Sequence, residues 1–445
     1  MLILIASVLI LIAVLVSLKY PSISLGFFLT AGFIKTVLIL YIPFFRVFDY
    51  TVLCAVFLLF TMVYVFIRRG ANVSKLINKP VICFLLLAVM LLIESLSTSA
   101  PIYGWQKSTR HATLGLIAML APIIFAADMK DIKELLIMLF VAGAIIAIVT
   151  LIAPHSGVVR IAAEQRGSFL EASPLDSAVR IAVAMLIAIY SALMISSTIK
   201  SKLIYFAFVP FMLAAIVITG SRGPFFGAVL CILIILFLVR KQISSIWLFV
   251  AGFLILISVI GVFYKLSEES TRRIVSTFES QYEAQIAIEP RSGLFSWAFF
   301  NAFSKPVFGH GTGSFAMDYY GTDERCYPHN IILELFYENG LIGVFLFILF
   351  MFWIYQRWRV AREVAFYFDN KPQAKELVDM TGLLVVFNLL QSMKSSDIDG
   401  NRFLFFTCGL VIACCWCMNN KLQELAAYED NVCVQNNEGY YVQQS

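Results

Sequence analysis

Apolar runs of about twenty residues alternate with short polar or basic stretches along most of this chain. A helix needs about 20 consecutive apolar residues to cross a bilayer. By that measure the pattern predicts about thirteen spans: 1–18, 22–45, 50–67, 80–99, 112–127, 135–153, 177–198, 203–219, 224–239, 243–264, 340–356, 377–394 and 403–418. Backbone groups in lipid must bond within their own segment or within a closed barrel. Runs of this length without strict alternation are helical. The expected fold class is therefore all-α, a polytopic integral membrane protein. Lys35 interrupts the second run, so twelve spans stands as the alternative. Met1 to Leu18 has neither a basic leader nor a small-residue cleavage site and reads as a retained span.

One stretch breaks the alternation. Residues 265–339 form a polar insert too long for a plain connector. Within it, "SEESTRRIVSTFESQYEAQI" offers Ser267 or Ser270 as a cap, with Ile274, Phe278 and Tyr282 spaced for one face. That predicts an amphipathic helix at the membrane surface or over a cavity. The organisation expected is an N-terminal bundle of about ten spans over 1–264, a large loop over 265–339, further spans over 340–418, and a polar tail over 419–445. The tail is expected to be cytoplasmic and partly disordered.

Charge sets the orientation. Arg68, Arg69, Lys75, Lys79, Lys200, Lys202, Arg240 and Lys241 fall in three short loops that hold no acidic residue. Such loops mark the cytoplasmic side. The segments 99–111, 154–176, 219–223, 265–339 and 395–402 then face outward, and with them all four histidines, His111, His155, His310 and His329.

Composition agrees with the pattern: 60% hydrophobic and 14% charged, against about 45–50% and about 25% in soluble domains. The net charge of +5 does not call for a nucleic-acid partner. The nine cysteines lie mostly in apolar runs, which argues against a disulfide framework. P-loop, dinucleotide, HExxH and paired CxxC signatures are absent, so no metal and no cofactor is expected.

The candidates for chemistry sit on the outward side. In "DERCYPHNIILELFYENGLIG", Pro328 suits the first turn of a helix, and His329 would share that turn. The free N–H groups there favour anions. His329 reads either as a general base or phosphate ligand, or as a plain cap at the membrane interface. Asn330, Glu334 and Tyr337 share a helix face. Arg222, in "IVITGSRGPFF", lies between two apolar spans, where a charge is costly and usually functional, although it could also snorkel to headgroups. Arg166, Arg291, Lys107 and Arg110 complete an outward set of cations beside an apolar body. Guanidinium forks suit phosphates, and a lipid-linked diphosphate would match that surface. Gly309-His310-Gly311-Thr312-Gly313 reads as a turn, with its amides offered to a ligand as the other option; Asp397, Asp399 and Arg402 read as a solvated loop, with Asp397 orienting Arg402 or coordinating a cation as the other option.

These motifs resemble the bacterial O-antigen ligase and polymerase superfamily. His329-Asn330, nine residues, then Gly340-Leu341-Ile342-Gly343 is similar to its H-N-x9-G-x-x-G pattern. Thr219 to Gly223 resembles its T-x-S-R-G turn, Gly309 to Phe315 its glycine-rich turn, and Arg166 to Leu170 an R-x3-L element. The detailed likeness covers about 205–345. The resemblance implies a GT-C-type glycosyltransferase of the bacterial inner membrane, with its active site facing the periplasm. It would move an undecaprenyl-diphosphate-linked glycan onto an acceptor hydroxyl, with inversion and without a nucleotide sugar. Arg222 and Arg291 would bind the donor diphosphate, and His329 would activate the acceptor or support the leaving group. Arg166, Asn330, Lys107 and Arg110 would be further substrate contacts. The partners implied are the lipid-linked donor, an acceptor glycan on a lipid-linked repeat unit or on lipid A–core, membrane lipids, and a chain-length regulator. Polymerisation of repeat units is narrowly favoured over ligation, on the loop "SSDIDGNRF" between the last two spans. A lipid-linked glycan flippase is the non-enzyme alternative, although no internal repeat is evident.

Overall fold

The computed structural model describes residues 16–41, 49–70, 73–152, 174–196, 198–239, 252, 291–367, 373–395 and 397–442. The helices that position the site are α1 (Pro21–Tyr41), α2 (Tyr50–Arg68), α3 (Lys79–Glu94), α4 (Pro101–Phe125), α5 (Met129–Ile152), α6 (Pro174–Tyr190), α7 (Ile199–Ile218), α8 (Arg222–Val239), α9 (Arg291–Ala302), α10 (Ser314–Tyr320), α11 (Ile331–Phe366), α12 (Gln373–Ser395) and α13 (Arg402–Val442). No strand occurs among the described residues. Eight helices there are long and apolar enough to cross a membrane. The all-α, polytopic expectation holds. The predicted spans at 1–18 and 243–264, and the predicted surface helix after Ser267, lie wholly or almost wholly outside the described residues.

Two elements differ from the sequence reading. The span expected from 112 begins at Pro101, because the polar stretch "PIYGWQKSTR" also coils. Asp323, far along the chain, caps this start by accepting from Ile102 N at 2.8 Å and Tyr103 N at 2.9 Å. The tail, expected to be partly disordered, continues α13 as helix to Val442.

The core is built around α6, whose run Ile181–Tyr190 is buried throughout between α5, α7, α8 and α12. A second core joins α3, α4, α11 and α13 around Phe84, Phe350 and Phe405. The starts of α2, α6 and α13 line a common cavity, and those of α8 and α11 bond the last turns of α12, while Arg69 and Lys75 bond the carbonyls of Phe125 and Ala126 where α4 ends.

Helix α11 is broken at Gly340, which has φ 62° and ψ −161°. The segment 306–311 repairs the break. His310 N and Gly311 N donate to the carbonyls of Tyr337 and Glu338, at 3.0 and 2.8 Å, while Leu341 N donates to Pro306 O at 2.8 Å. A Cβ on Gly340 would stand 2.3 Å from Val307 O, and one on Gly309 would stand 2.3 Å from Glu338 O. Both contacts are too close for any side chain, so backbone meets backbone only because both are glycine.

Candidate active site

The glycine-rich turn comes first, because it locks the others. Its amides are bonded to the chain itself: to Tyr337 and Glu338 as above, and from Gly313 N to Glu338 Oε2 at 2.8 Å. They are not held open for a ligand. Lys107 lies fully buried behind the turn. Its ammonium contacts Glu334, and Glu338 Oε2 at 2.6 Å. Glu334 Oε1 also accepts from Ile398 N at 3.3 Å. Lys107 thus ties α4, α11 and the 397–401 loop together. Two buried carboxylates thus neutralise the cation that the sequence reading offered as an anion contact.

Asn330 is the N-cap of α11. Its Oδ1 accepts from Ile332 N and Leu333 N, both at 3.0 Å, and its Nδ2 donates to Met393 O at 3.1 Å. Its amide is thus engaged at both ends by the fold, as a helix cap. His329 consequently precedes the cap instead of sharing the first helical turn. It holds φ 57°, the only positive φ among described residues other than glycine. Such backbone strain in a polar side chain gathers at functional positions. Its ring packs on that of Tyr327, centroids 4.6 Å apart.

Tyr327 leads to open space. A cavity of about 630 Å³ is lined by Lys35, Thr109, Arg110, Asp176, Arg325 and Arg402, among others. A chamber of about 260 Å³ adjoins it and shares Gly32, Thr51, Asp176, Arg325 and Arg402. Arg180, Tyr327, Gln391 and Asp397 also line the chamber. The loop expected to be solvated is its wall: Asp397 is 0% and Asp399 3% exposed. Asp397 pairs not with Arg402 but with Arg325, through Nε and Nη2, both at 2.8 Å. Tyr103 Oη donates to Asp397 at 3.2 Å. Arg110 reaches Asp399 at 3.8 Å, while its side chain stays 41% exposed to the cavity.

Burial disfavours ionisation of both aspartates, with opposite outcomes. For Asp397 the Arg325 guanidinium outweighs burial and holds the carboxyl well below its usual range. For Asp399, burial and the neighbouring Asp397 charge act together, and the carboxyl is pushed up to about 8.

Of the arginines singled out from sequence, Arg110 lines the cavity. Arg222 opens α8 and Arg291 opens α9. The turn carrying Arg222 reaches the chamber wall, since Gln391 Nε2 donates to Gly223 O at 3.4 Å. Arg166 lies outside the described residues. Sequence reasoning did not select Arg180 or Arg325. Arg180 carried a usable signal, a lone cation within an apolar helix. Arg325 carried none, because its aspartate partner is 72 residues away.

Residues 207–348 match the family model described as O-Antigen ligase. No curated protein matches the chain. The match spans the 219–223 turn, the glycine-rich turn and the histidine motif, and it bears out the resemblance those motifs carry.

Proposed function

We propose that this multi-pass membrane protein of the O-antigen ligase and polymerase superfamily transfers glycan from an undecaprenyl-diphosphate carrier to an acceptor hydroxyl, and that it polymerises surface-polysaccharide repeat units. The observation that supports the glycan-transfer part of this reading is the family match over 207–348. The cationic cavity beside that stretch supports it. A site facing the periplasm follows from the basic loops at the opposite end, which read as cytoplasmic.

The chemistry asks little more than charge placement and one proton acceptor. The acceptor oxygen attacks the anomeric carbon from the side opposite the diphosphate. The new C–O bond forms as the bond to the diphosphate oxygen breaks, and the lipid diphosphate leaves with the electron pair. Arg222 and Arg291, with the cavity arginines, neutralise that growing charge. His329 takes the hydroxyl proton and, as imidazolium, adds a further positive charge. Because the diphosphate is a good leaving group, no metal is required. Polymerisation is favoured by the loop "SSDIDGNRF" between the last two spans, of which Asp397, Gly400 and Asn401 line the smaller chamber.

The test is purified full-length protein in nanodiscs with lipid-linked repeat units. Elongated glycan is expected, and it should vanish in His329→Ala and Arg222→Ala while protein abundance holds. Movement of lipid-linked units across liposomes without new glycosidic bonds would identify a flippase instead. In a deletion strain, a single repeat on the core is expected. Long chains retained on the carrier would mean that ligation, not polymerisation, was lost.

A further inference from the structure

The smaller chamber holds two buried polar groups whose bonding is incomplete. Arg180 is 8% exposed; its Nη2 pairs with Asp176 at 2.7 Å, and its Nε and Nη1 have no partner. Gln391 is 5% exposed; its Nε2 is engaged by Gly223, and its Oε1 has no partner. Leaving such groups buried and unbonded is costly, so structures rarely keep them without a use. Arg402 lines both cavities and makes no ion pair among the described residues. Aromatic faces hold both guanidiniums: Arg180 stands 5.5 Å from the Phe403 centroid and Arg402 5.9 Å from that of Phe28. The first turns of α6 and α13 also line this chamber, through Leu175, Asp176, Arg402 and Phe403. Their positive dipole ends favour an anion there.

Donors and acceptor differ in kind. Arg180 and Arg402 present N–H groups to phosphate oxygens. Gln391 presents a carbonyl oxygen, which suits a hydroxyl and repels a phosphate. We propose that this chamber seats the junction between sugar and phosphate in the lipid-linked substrate, with Arg180 and Arg402 on the phosphate and Gln391 Oε1 accepting from a sugar hydroxyl. The inference rests on the function proposed above and assigns that substrate a seat. Orientation is the consequence: phosphate and sugar are told apart by the donors and the acceptor that line one small chamber.

The test uses the full chain in phosphatidylcholine nanodiscs, with three probes: farnesyl diphosphate, a farnesyl diphospho-hexose and inorganic phosphate. Wild type should bind both farnesyl probes and prefer the sugar-bearing one. Arg402→Gln and Arg180→Gln should weaken both farnesyl probes at least tenfold, and Arg402→Lys should recover part of the loss. Gln391→Leu should weaken only the sugar-bearing probe, erasing the preference. Melting temperatures of all variants identify any that fail to fold, and Arg402→Lys keeps the charge if the glutamine variant does. The inference is overturned if both arginine variants bind as wild type does, or if Gln391→Leu weakens the two farnesyl probes equally. It is also overturned if inorganic phosphate, or phosphatidylglycerol added to the nanodisc, competes as well as farnesyl diphosphate. The two readings fail differently. Arginine-dependent binding without glycosidic bond formation would sink the proposed activity and keep the seat. Bond formation unchanged in both arginine variants would do the reverse.

Discussion

Two clusters of charge lie at the same end of this bundle, and they do opposite work. Around Lys107, one ammonium faces two carboxylates, the glycine-rich turn bonds one of them, and the cluster is closed to solvent. Around Arg402, the cations outnumber their close partners, and a cavity stands in front of them. Burying charge is expensive in both places. In the first cluster the cost is offset by neighbours, which makes it architecture. In the second it is offset only in part, which leaves an attraction for something brought from outside.

That contrast breaks most sharply at Lys107. Lys107→Met strands two facing carboxylates and should cost on the order of 3–5 kcal/mol. Solubilised protein should then unfold at a far lower denaturant midpoint, and an unchanged midpoint would show that the closed cluster is not structural. Arg402→Gln should behave in the opposite way, with the unfolding midpoint held and glycan transfer down about 100-fold, equivalent to about 2.7 kcal/mol. If stability and transfer fell together, the two clusters would not differ in kind.

Asn330 tests the same contrast within the histidine motif. Asn330→Ala removes a helix cap and should cost about 1 kcal/mol of stability. Transfer should persist, unlike in His329→Ala; full loss of transfer at an unaltered melting temperature would return Asn330 to the substrate.

A last test concerns pH. Asp399 is raised from its ordinary 3.8 to about 8 by burial and by Asp397. Between those values the folded protein holds a proton that the unfolded chain releases, so stability falls as pH rises through that window. Asp399→Asn should flatten this slope and change little at the acid end. A slope equally steep in the variant would place its origin elsewhere.

Much of the fold was legible in the sequence, because apolar run length answers directly to bilayer thickness. The motif glycines were legible as a spacing, but their reason was not. Gly340 and Gly309 matter through each other, and only the folded chain brings them into contact. Lys107 and Arg110 looked alike on paper, three residues apart on one helix. One points into carboxylates and the other into a cavity, which follows from where α11 and the 397–401 loop pack. Asp397 seemed solvated because its neighbours in sequence are polar, whereas its burial is set by Arg325 and Tyr103 from distant segments.

The break at Gly340 also bears on how the protein is made. A ribosome delivers the segment 306–311 before it delivers α11. The groups that repair the break are therefore already synthesised when the helix emerges. Unpaired amides and carbonyls at that point need not wait in lipid for a remote partner, where each would cost several kcal/mol. The repaired break can form during membrane insertion from neighbouring chain alone, and the arginine wall of the cavity is completed later, when α13 arrives with Arg402.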